Sequence, residues 1–104
     1  MTKKHYAVAW TGPALRNLLE VVQYIRADDP DAAQRLGKEI KVKVARLALF
    51  PNSGRIVPEF PTSGLREVIV GHYRIIYRVL TGKFRVEILT VRHGARRIEG
   101  VKET

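Results

Sequence analysis

The segment Tyr73-Arg74-Ile75-Ile76-Tyr77-Arg78-Val79-Leu80 carries the clearest structural signal of the chain, because its side chains alternate with the period of two that a half-buried β-strand requires. Consecutive side chains of a strand point to opposite faces, so this segment has one apolar face and one face that carries guanidinium groups. The apolar face holds Tyr73, Ile75, Tyr77 and Val79, and the other face holds Arg74, Ile76 and Arg78. The sequence therefore predicts a strand with one face in a hydrophobic core and the other suited to anions.

Shorter strand patterns flank this segment, and turn residues separate each of them from the next. Gly71-His72 precedes the segment, Thr81-Gly82-Lys83 follows it, and residues 58–64 form a longer connection. The flanking strands are predicted over residues 55–57, 65–70 and 84–91. Connections this short join neighbouring antiparallel strands, so the second half of the chain is predicted to be an antiparallel meander.

In the first half of the chain, the spacing of the apolar residues changes near Thr11 from a period of two to the period of a helix. Residues 5–10 alternate well enough for a short opening strand, after which Thr11 can cap a helix and Pro13 is tolerated in its first turn. Asp29 and Pro30 provide the cap and the first residue of a second helix, which Pro51 ends. The apolar stripes consist of Leu15, Leu18, Leu19, Val22 and Ile25 in the first helix, and of Ala33, Leu36, Ile40, Val44 and Leu47 in the second.

These elements predict an α+β fold with an N-terminal strand, a two-helix antiparallel hairpin and then a three- to four-stranded antiparallel sheet. Each amphipathic helix must bury its apolar stripe, and the apolar face of the sheet is the surface on which both can do so. A chain of 104 residues matches the size of one domain, and no linker or repeat divides it. Residues 1–104 are therefore predicted to form a single domain.

The composition narrows the classes of function. Nineteen Lys and Arg against ten Asp and Glu give a formal net charge of +9, which favours nucleic acid, an anionic membrane surface or an acidic protein as partner. The chain has no Cys, and His5, His72 and His93 lack the spacing of metal ligands, so neither a metal nor a cofactor is expected. No apolar run approaches the ~20 residues of a membrane span, and a cytoplasmic location is expected.

Arginines near the later strands form the candidate anion-binding surface. Arg66 begins the strand before the central segment, and Arg92, Arg96 and Arg97 follow the last strand. Planar guanidinium groups suit phosphate or carboxylate better than lysines do. We expect these arginines to gather on the sheet face that the helices leave uncovered.

The alternative for each arginine is a purely structural role. Arg66 with Glu67, or Arg85 with Glu87, would then form ion pairs on an exposed sheet. The two tyrosines of the central segment are interpreted as packing residues and not as platforms for nucleic-acid bases, because no free aromatic residue lies among the arginines.

Short motifs occur in a characteristic order between residues 6 and 97. They are Trp10-Thr11 at the start of a helix, Pro30 in the hairpin, Leu49-Phe50-Pro51 at the end of the second helix, Gly54-Arg55, Val57-Pro58-Glu59-Phe60, Leu65-Arg66-Glu67, Tyr73-Arg74-Ile75-Ile76-Tyr77-Arg78-Val79 and Val86-Glu87-Ile88-Leu89-Thr90-Val91-Arg92-His93 followed by Arg96. No single motif is specific, whereas their order and spacing resemble the RelE/ParE superfamily of toxins from bacterial type II toxin–antitoxin modules.

This resemblance implies a growth-inhibiting toxin that a co-expressed antitoxin neutralises with an extended, often acidic segment. ParE-like members poison DNA gyrase and are not nucleases, whereas RelE-like members cut mRNA in the ribosome. The sequence as a whole is most similar to the ParE-like branch, so gyrase poisoning is the preferred interpretation and enzymatic activity is left open. A third possibility is a member that only binds its partner and regulates the operon.

Under the nuclease alternative, the resemblance assigns Glu59 as general base, Arg66 and Arg74 as phosphate-binding residues and His93 as general acid. The lysine pair of RelE has no counterpart between Arg55 and Arg66, and no Tyr follows His93. The residues expected to bind an anion or a protein partner are Arg55, Arg78, Arg92, Arg96 and Arg97.

Overall fold

The computed structural model describes residues 5–94, and its elements follow the predicted order with small changes at their ends. The strands are β1 Ala7–Trp10, β2 Arg55–Ile56, β3 Arg66–Val70, β4 Tyr73–Leu80 and β5 Arg85–His93. The helices are α1 Gly12–Asp28 and α2 Pro30–Ala45, and short 3₁₀ turns cover Arg46–Ala48 and Thr81–Lys83. The predicted α+β class is confirmed.

All five strands belong to one mixed sheet in the order β1-β5-β4-β3-β2. The predicted meander is confirmed for β2 to β5, since each of these strands pairs antiparallel with the next. β1 is a further strand of the same sheet and runs parallel to β5, with Ala7 opposite Arg85 and Trp10 opposite Ile88. The sheet thus has five strands, because the opening strand joins it beside the last one.

Both helices begin as their capping residues predict. The Thr11 side chain accepts a hydrogen bond from the Ala14 amide, and the Asp29 side chain accepts one from the Ala32 amide at 3.1 Å. Pro30 occupies the first turn of α2, where its missing amide proton leaves no bond unmade. Among residues 5–94, neither helix has the length and apolar character that crossing a membrane would require.

The main core lies between the helices and one face of the sheet. The predicted stripe of the second helix is confirmed: Ala33, Ile40 and Val44 are buried in α2, Leu36 is half-buried against the same core, and Leu47 is buried in the 3₁₀ turn that follows. The predicted stripe of α1 is partly wrong: Leu15 is 47% exposed and Leu19 is 59% exposed. Leu18 packs against the core as predicted, but Ala14 and Val21 lie beside it in place of Leu15 and Leu19, so the helix is rotated relative to the prediction. The sheet contributes Val70, Ile75, Tyr77, Val86, Ile88 and Val91.

The side chain of Tyr77 fixes the turn that follows α2. Its hydroxyl donates to the Pro51 carbonyl at 2.7 Å and accepts from the Gly54 amide at 2.9 Å. A Cβ at Gly54 would lie 2.6 Å from the Glu67 carbonyl and 2.6 Å from the Tyr77 hydroxyl, so only glycine fits there. Burial raises the pKa of Tyr77 above its ordinary value. The interpretation of this tyrosine as a packing residue is confirmed.

Side chains of α1 cover the edge of β5 beyond the end of β1. The Thr11 hydroxyl donates to the Ile88 carbonyl at 2.7 Å. The Asn17 side-chain oxygen accepts from the Thr90 hydroxyl at 2.7 Å and from the Val91 amide at 3.3 Å. These bonds satisfy strand groups that would otherwise be open to another strand.

Candidate functional site

The sheet face opposite the helices is not bare, because the connection between β2 and β3 folds over it. Val57 and Leu65 are buried there against Ile76, and Phe60 packs on the same cluster. The Val57 amide donates to the Leu65 carbonyl at 2.9 Å, and the Phe60 amide donates to the Val57 carbonyl at 3.1 Å. This connection brings Glu59 to the sheet.

Arg74 lies beneath Glu59 and binds two carboxylates at once. Its Nη1 donates to Glu59 Oε2 at 2.6 Å and its Nη2 to Glu59 Oε1 at 2.8 Å, which is the two-pronged geometry of a guanidinium on a carboxylate. Its Nε donates to Glu67 Oε1 at 2.7 Å. The guanidinium therefore has one carboxylate on its outer side and another on its inner side.

Arg55 completes an ion cluster that consists of Arg55, Glu59, Glu67 and Arg74. Arg55 Nε donates to Glu67 Oε2 at 2.5 Å, so Glu67 is shared between two arginines. The side chains of Glu67 and Arg74 are 0% and 7% exposed, whereas that of Glu59 is 37% exposed. Two positive and two negative groups balance each other, as burial of charge requires.

The ion cluster changes the acidity of its members. The hydrogen bonds from Arg74 lower the pKa of Glu59 from 4.5 to about 2. The same bonds to Glu59, with those to Glu67, raise the pKa of Arg74 above its usual range despite burial. Both groups are therefore charged at neutral pH, and the Glu59 carboxylate is a very weak base.

A shallow depression of about 490 Å³ opens beside the ion cluster. Its lining includes Arg55, Glu59 and Arg74 of the ion cluster together with His72 and His93. The two imidazole rings are stacked with 6.1 Å between their centroids, and the His93 ring also meets the Tyr73 ring edge-on at 5.5 Å. Three of the four residues assigned under the nuclease alternative, Glu59, Arg74 and His93, thus border one depression.

Arg66, the fourth, lies away from this depression, and the expectation that it shares the face of Arg74 is wrong. It is opposite Tyr77 in the β3–β4 register, on the face that the helices cover. Its Nη1 donates to the Gly54 carbonyl at 2.8 Å and to the Asn52 carbonyl at 3.2 Å. The alternating direction of side chains in β3 separates it from Glu67, its neighbour in sequence, so the suggested Arg66–Glu67 ion pair does not form.

The remaining predicted arginines have different surroundings. Arg78 binds Glu87 across the β4–β5 pair at 2.7 Å, and Arg85 is 3.9 Å from the same carboxylate. Arg92 is opposite Arg74 in the register of β4 and β5, but it lines a second depression with Asn17, Glu20 and Tyr24 of α1 and is not among the residues that line the depression beside Arg74. Arg96 and Arg97 lie outside the described residues.

The sequence interpretation missed the role of Glu67, which it treated only as a possible partner for Arg66. The available signal was a carboxylate that shares its strand face with the apolar residues Leu65 and Ile69. Its partner depends on strand register and on the path of residues 57–65, which the pattern does not give. Among the described residues, no group of His, Asp and Glu is placed to hold a metal ion.

Comparisons with known proteins agree with this architecture. The family model for the ParE toxin of type II toxin–antitoxin system parDE matches residues 8–98. The protein Y4kP of Sinorhizobium fredii is 42% identical over 88 residues, which are 83% of this chain and 85% of that protein. Toxin RelE2 of Caulobacter vibrioides is 40% identical over 90 residues, which are 86% of this chain and 96% of that toxin.

Among solved structures, the chromosomal ParDE toxin–antitoxin system from P. aeruginosa contains a chain with the same fold. The TM-score is 0.68 at 22% identity, and the match covers 86% of this chain and 96% of that one. The fold, the family match over residues 8–98 and the two relatives together show that this chain belongs to the ParE toxin family of type II toxin–antitoxin systems, within the RelE/ParE superfamily.

Proposed function

We propose that this protein inhibits growth by poisoning DNA gyrase through surface contacts, and that a cognate antitoxin neutralises it. The observation that carries the proposal is the closed ion cluster, in which Glu59 and Arg74 satisfy each other. The two groups that a nuclease would need at this position are engaged with each other, which favours a toxin that acts by binding.

The properties of Glu59 and Arg74 do not match what RNA cleavage requires of a base and a phosphate-binding cation. Attack by a ribose 2′-hydroxyl needs a base whose pKa is near the working pH and cations that are available to the phosphate. Glu59 has a pKa of about 2, so its carboxylate accepts a proton poorly at neutral pH. Arg74 already binds two carboxylates, and its charge is neutralised within the ion cluster.

The helical hairpin offers a surface that suits a protein target. On α1, Leu15 and Leu19 lie one turn apart and are exposed by 47% and 59%. Adjacent apolar side chains on the exposed face of a helix are typical of sites that another protein covers. Exposed lysines of α2, including Lys38 and Lys41, add positive charge to the hairpin. This surface supports contact with gyrase by α1 and α2.

An acidic antitoxin suits the charge of the chain. A net charge of +9 favours fast association with an acidic segment, and apolar anchors would fix that segment in place. One solved relative of the same fold comes from a ParDE toxin–antitoxin system. Co-expression with the product of the neighbouring gene should yield a complex that co-purifies at high salt.

The second candidate is a ribosome-dependent endoribonuclease. The observation that favours it is the meeting of Glu59, Arg74 and His93 at one depression. One relative is named Toxin RelE2. In this case an RNA phosphate would have to displace Glu59 from Arg74 before cleavage.

A gyrase cleavage assay tests the first candidate. Purified protein is incubated with gyrase, ATP and supercoiled DNA, and linear DNA is measured after detergent and protease treatment. We expect linear DNA with the wild type and a large loss with Leu19→Glu. The matched control is Gln23→Glu, which places the same charge at an exposed position one turn further along α1.

Primer extension on translated mRNA tests the second candidate. We expect no new 5′ ends when the wild-type protein is added to a translation reaction. New ends that disappear with Glu59→Gln but persist with Glu87→Gln, which removes a carboxylate elsewhere on the same face, would replace the gyrase proposal with the nuclease one.

A further inference from the structure

The turn between β4 and β5 holds a bulky residue in an unfavourable backbone conformation. Phe84 has φ of +48° and ψ of +51°, the left-handed region in which a side chain crowds its own backbone. Its amide donates to the Thr81 carbonyl at 3.2 Å, and its carbonyl accepts from the Ala7 amide at 2.9 Å. Glycine would form this turn without strain, so the turn alone does not explain the phenylalanine.

The strained backbone places the Phe84 ring beside Tyr6 at the end of the sheet. The two ring centroids are 5.5 Å apart, with the rings edge-on at 68°. Tyr6 packs against the main core, whereas Phe84 is 43% exposed. Tyr6 therefore supports a ring that remains accessible from solvent.

Basic side chains surround this aromatic pair. Lys83 and Arg85 flank Phe84 in the sequence, and Arg46 begins the 3₁₀ turn whose Ala48 carbonyl accepts from the Tyr6 amide at 2.8 Å. Arg46 and Lys83 are exposed, and the Arg85 side chain is 49% exposed. We call the set of Tyr6, Arg46, Lys83, Phe84 and Arg85 the Phe84 surface.

The chain segments that meet at the Phe84 surface carry no negative side chains. Residues 5–19, 40–58 and 68–86 contain neither Asp nor Glu. Glu87, the next carboxylate along the chain, binds Arg78 at 2.7 Å and lies 3.9 Å from Arg85. The charge of this surface therefore suits a polyanion.

We propose that the Phe84 surface is a binding site for single-stranded DNA, in which an unpaired base stacks on Phe84 and the neighbouring phosphates bind Arg46, Lys83 and Arg85. An aromatic ring among cations suits a single strand, because every base has a face that can stack. In a duplex the bases stack on each other, so a ring at the protein surface has no base to contact. An acidic peptide has no bases and would use the cations alone.

The Phe84 surface lies far from the depression beside Arg74. Tyr73 borders that depression at the start of β4, whereas Leu80, at the other end of the strand, leads into the turn that contains Phe84. The eight residues of β4 span roughly 25 Å. This site is therefore separate from the one assigned under the nuclease alternative. The choice of DNA over RNA rests on the proposed function, because gyrase acts on DNA.

The test titrates purified protein into a fluorescently labelled oligo(dT) of about 12 nucleotides at low salt, with anisotropy as the readout. We expect the wild type to bind, Phe84→Leu to bind about fivefold more weakly or worse, and Phe84→Tyr to remain within about twofold of the wild type. A duplex of the same length should bind equally to all three proteins, because it responds to the charges and not to the ring.

Tyr24→Leu is the matched control. It removes another exposed aromatic ring, on α1, and the affinity for oligo(dT) should stay within about twofold of the wild type. Phe84→Gly serves if Phe84→Leu does not fold, since glycine adopts the same positive φ without strain and lacks the ring. It should lose affinity to the same extent as Phe84→Leu.

A loss confined to the single strand and to the variants without a ring at position 84 would support the proposal. Equal affinity of wild type and Phe84→Leu, or an equal loss in Tyr24→Leu, would overturn it. Oligo(rU) bound more than about tenfold more tightly than oligo(dT) would assign the surface to RNA instead. A hexaglutamate peptide whose binding falls equally with Phe84→Leu would assign it to acidic protein segments, and either result would overturn the proposal. The assay contains no gyrase, so its failure is separate from failure of the gyrase cleavage assay.

Discussion

Arg74 and Ile75 are neighbours in β4 and have opposite surroundings. Ile75 faces the helices and lies in a core of aliphatic and aromatic side chains. Arg74 faces residues 57–65 and is almost equally buried, but its neighbours are two carboxylates. Both faces of this sheet are therefore covered, one by apolar packing and the other by a balanced set of charges.

The two faces also differ in what holds their covering. The helices contribute a continuous apolar surface, whose stabilisation is spread over many contacts. Residues 57–65 contribute a small apolar cluster and one carboxylate on Arg74. Stability on that side therefore depends on a few specific atoms.

Truncation of Arg74 is expected to give the largest effect. Arg74→Ala leaves the buried Glu67 carboxylate with Arg55 alone, and we expect a loss of about 3–5 kcal/mol in the free energy of unfolding, measured by urea denaturation. Ile75→Ala leaves a cavity and should lower the free energy of unfolding by a similar amount, about 2–5 kcal/mol. The double variant Arg74→Ala with Glu67→Gln distinguishes the two faces. It should recover part of the lost free energy of unfolding, because the buried Glu67 carboxylate is replaced by a neutral amide. A cost below about 1 kcal/mol for Arg74→Ala would show that the ion cluster is solvated.

Adding a side chain at Gly54 is expected to have the next largest effect. Gly54→Ala would place a methyl group against the Glu67 carbonyl and the Tyr77 ring, and we expect a loss of about 1–3 kcal/mol. The matched control is Gly37→Ala in α2, where nothing lies within 4 Å of the added methyl group. That change should stabilise the protein by about 0.5–1 kcal/mol, since alanine is the better helix former. Equal melting temperatures for the two variants would contradict the tight approach at Gly54.

Acid should weaken the loop-covered face specifically. The pKa of Glu59 is lowered in the folded protein, so its ion pair adds stability above the unfolded pKa of 4.5 and loses it as the pH falls towards about 2. Partial exposure of Glu59 screens the pair, and we expect a contribution of about 1–2 kcal/mol. Unfolding measured between pH 5 and pH 2 should show a smaller acid-dependent loss in Glu59→Gln than in the wild type. Parallel curves for the two proteins would show that the Glu59 ion pair does not contribute to the acid dependence of stability.

The Arg78–Glu87 pair is expected to give the smallest effect. Both side chains are partly exposed, and the pair bridges β4 and β5 near the solvent. Arg78→Ala should cost about 0.2–1 kcal/mol, with the difference reduced in high salt. Thermal unfolding with and without 0.5 M NaCl measures it, and an effect as large as that of Arg74→Ala would mean that the two pairs are equivalent.

The sequence predicted elements whose signals are local. Thr11 and Asp29 cap helices, and the alternation of residues 73–80 separates a core face from an arginine face, because each signal depends only on neighbouring residues. The orientation of α1 was not predicted, since Leu15 and Leu18 are both compatible with one broad apolar stripe. Which of them is buried depends on how the helix is rotated against β5.

The ion cluster could be predicted only in part. Glu59 and Arg74 were both named from the resemblance, but as two groups that would act on an RNA and not as partners of each other. Their pairing depends on the path of residues 57–65, and the position of Arg66 depends on the register of β3. Neither is encoded in a pattern with a period of two.

The pairing of β1 with β5 has a consequence for the order of folding. β1 has no strand partner until residues 85–88 are made, and β4 has only β3 beside it until β5 follows. Contacts this distant along the chain close late and slowly. The sheet is therefore completed only after β5 has been synthesised, which leaves an interval in which a partner can meet the chain before it is fully assembled.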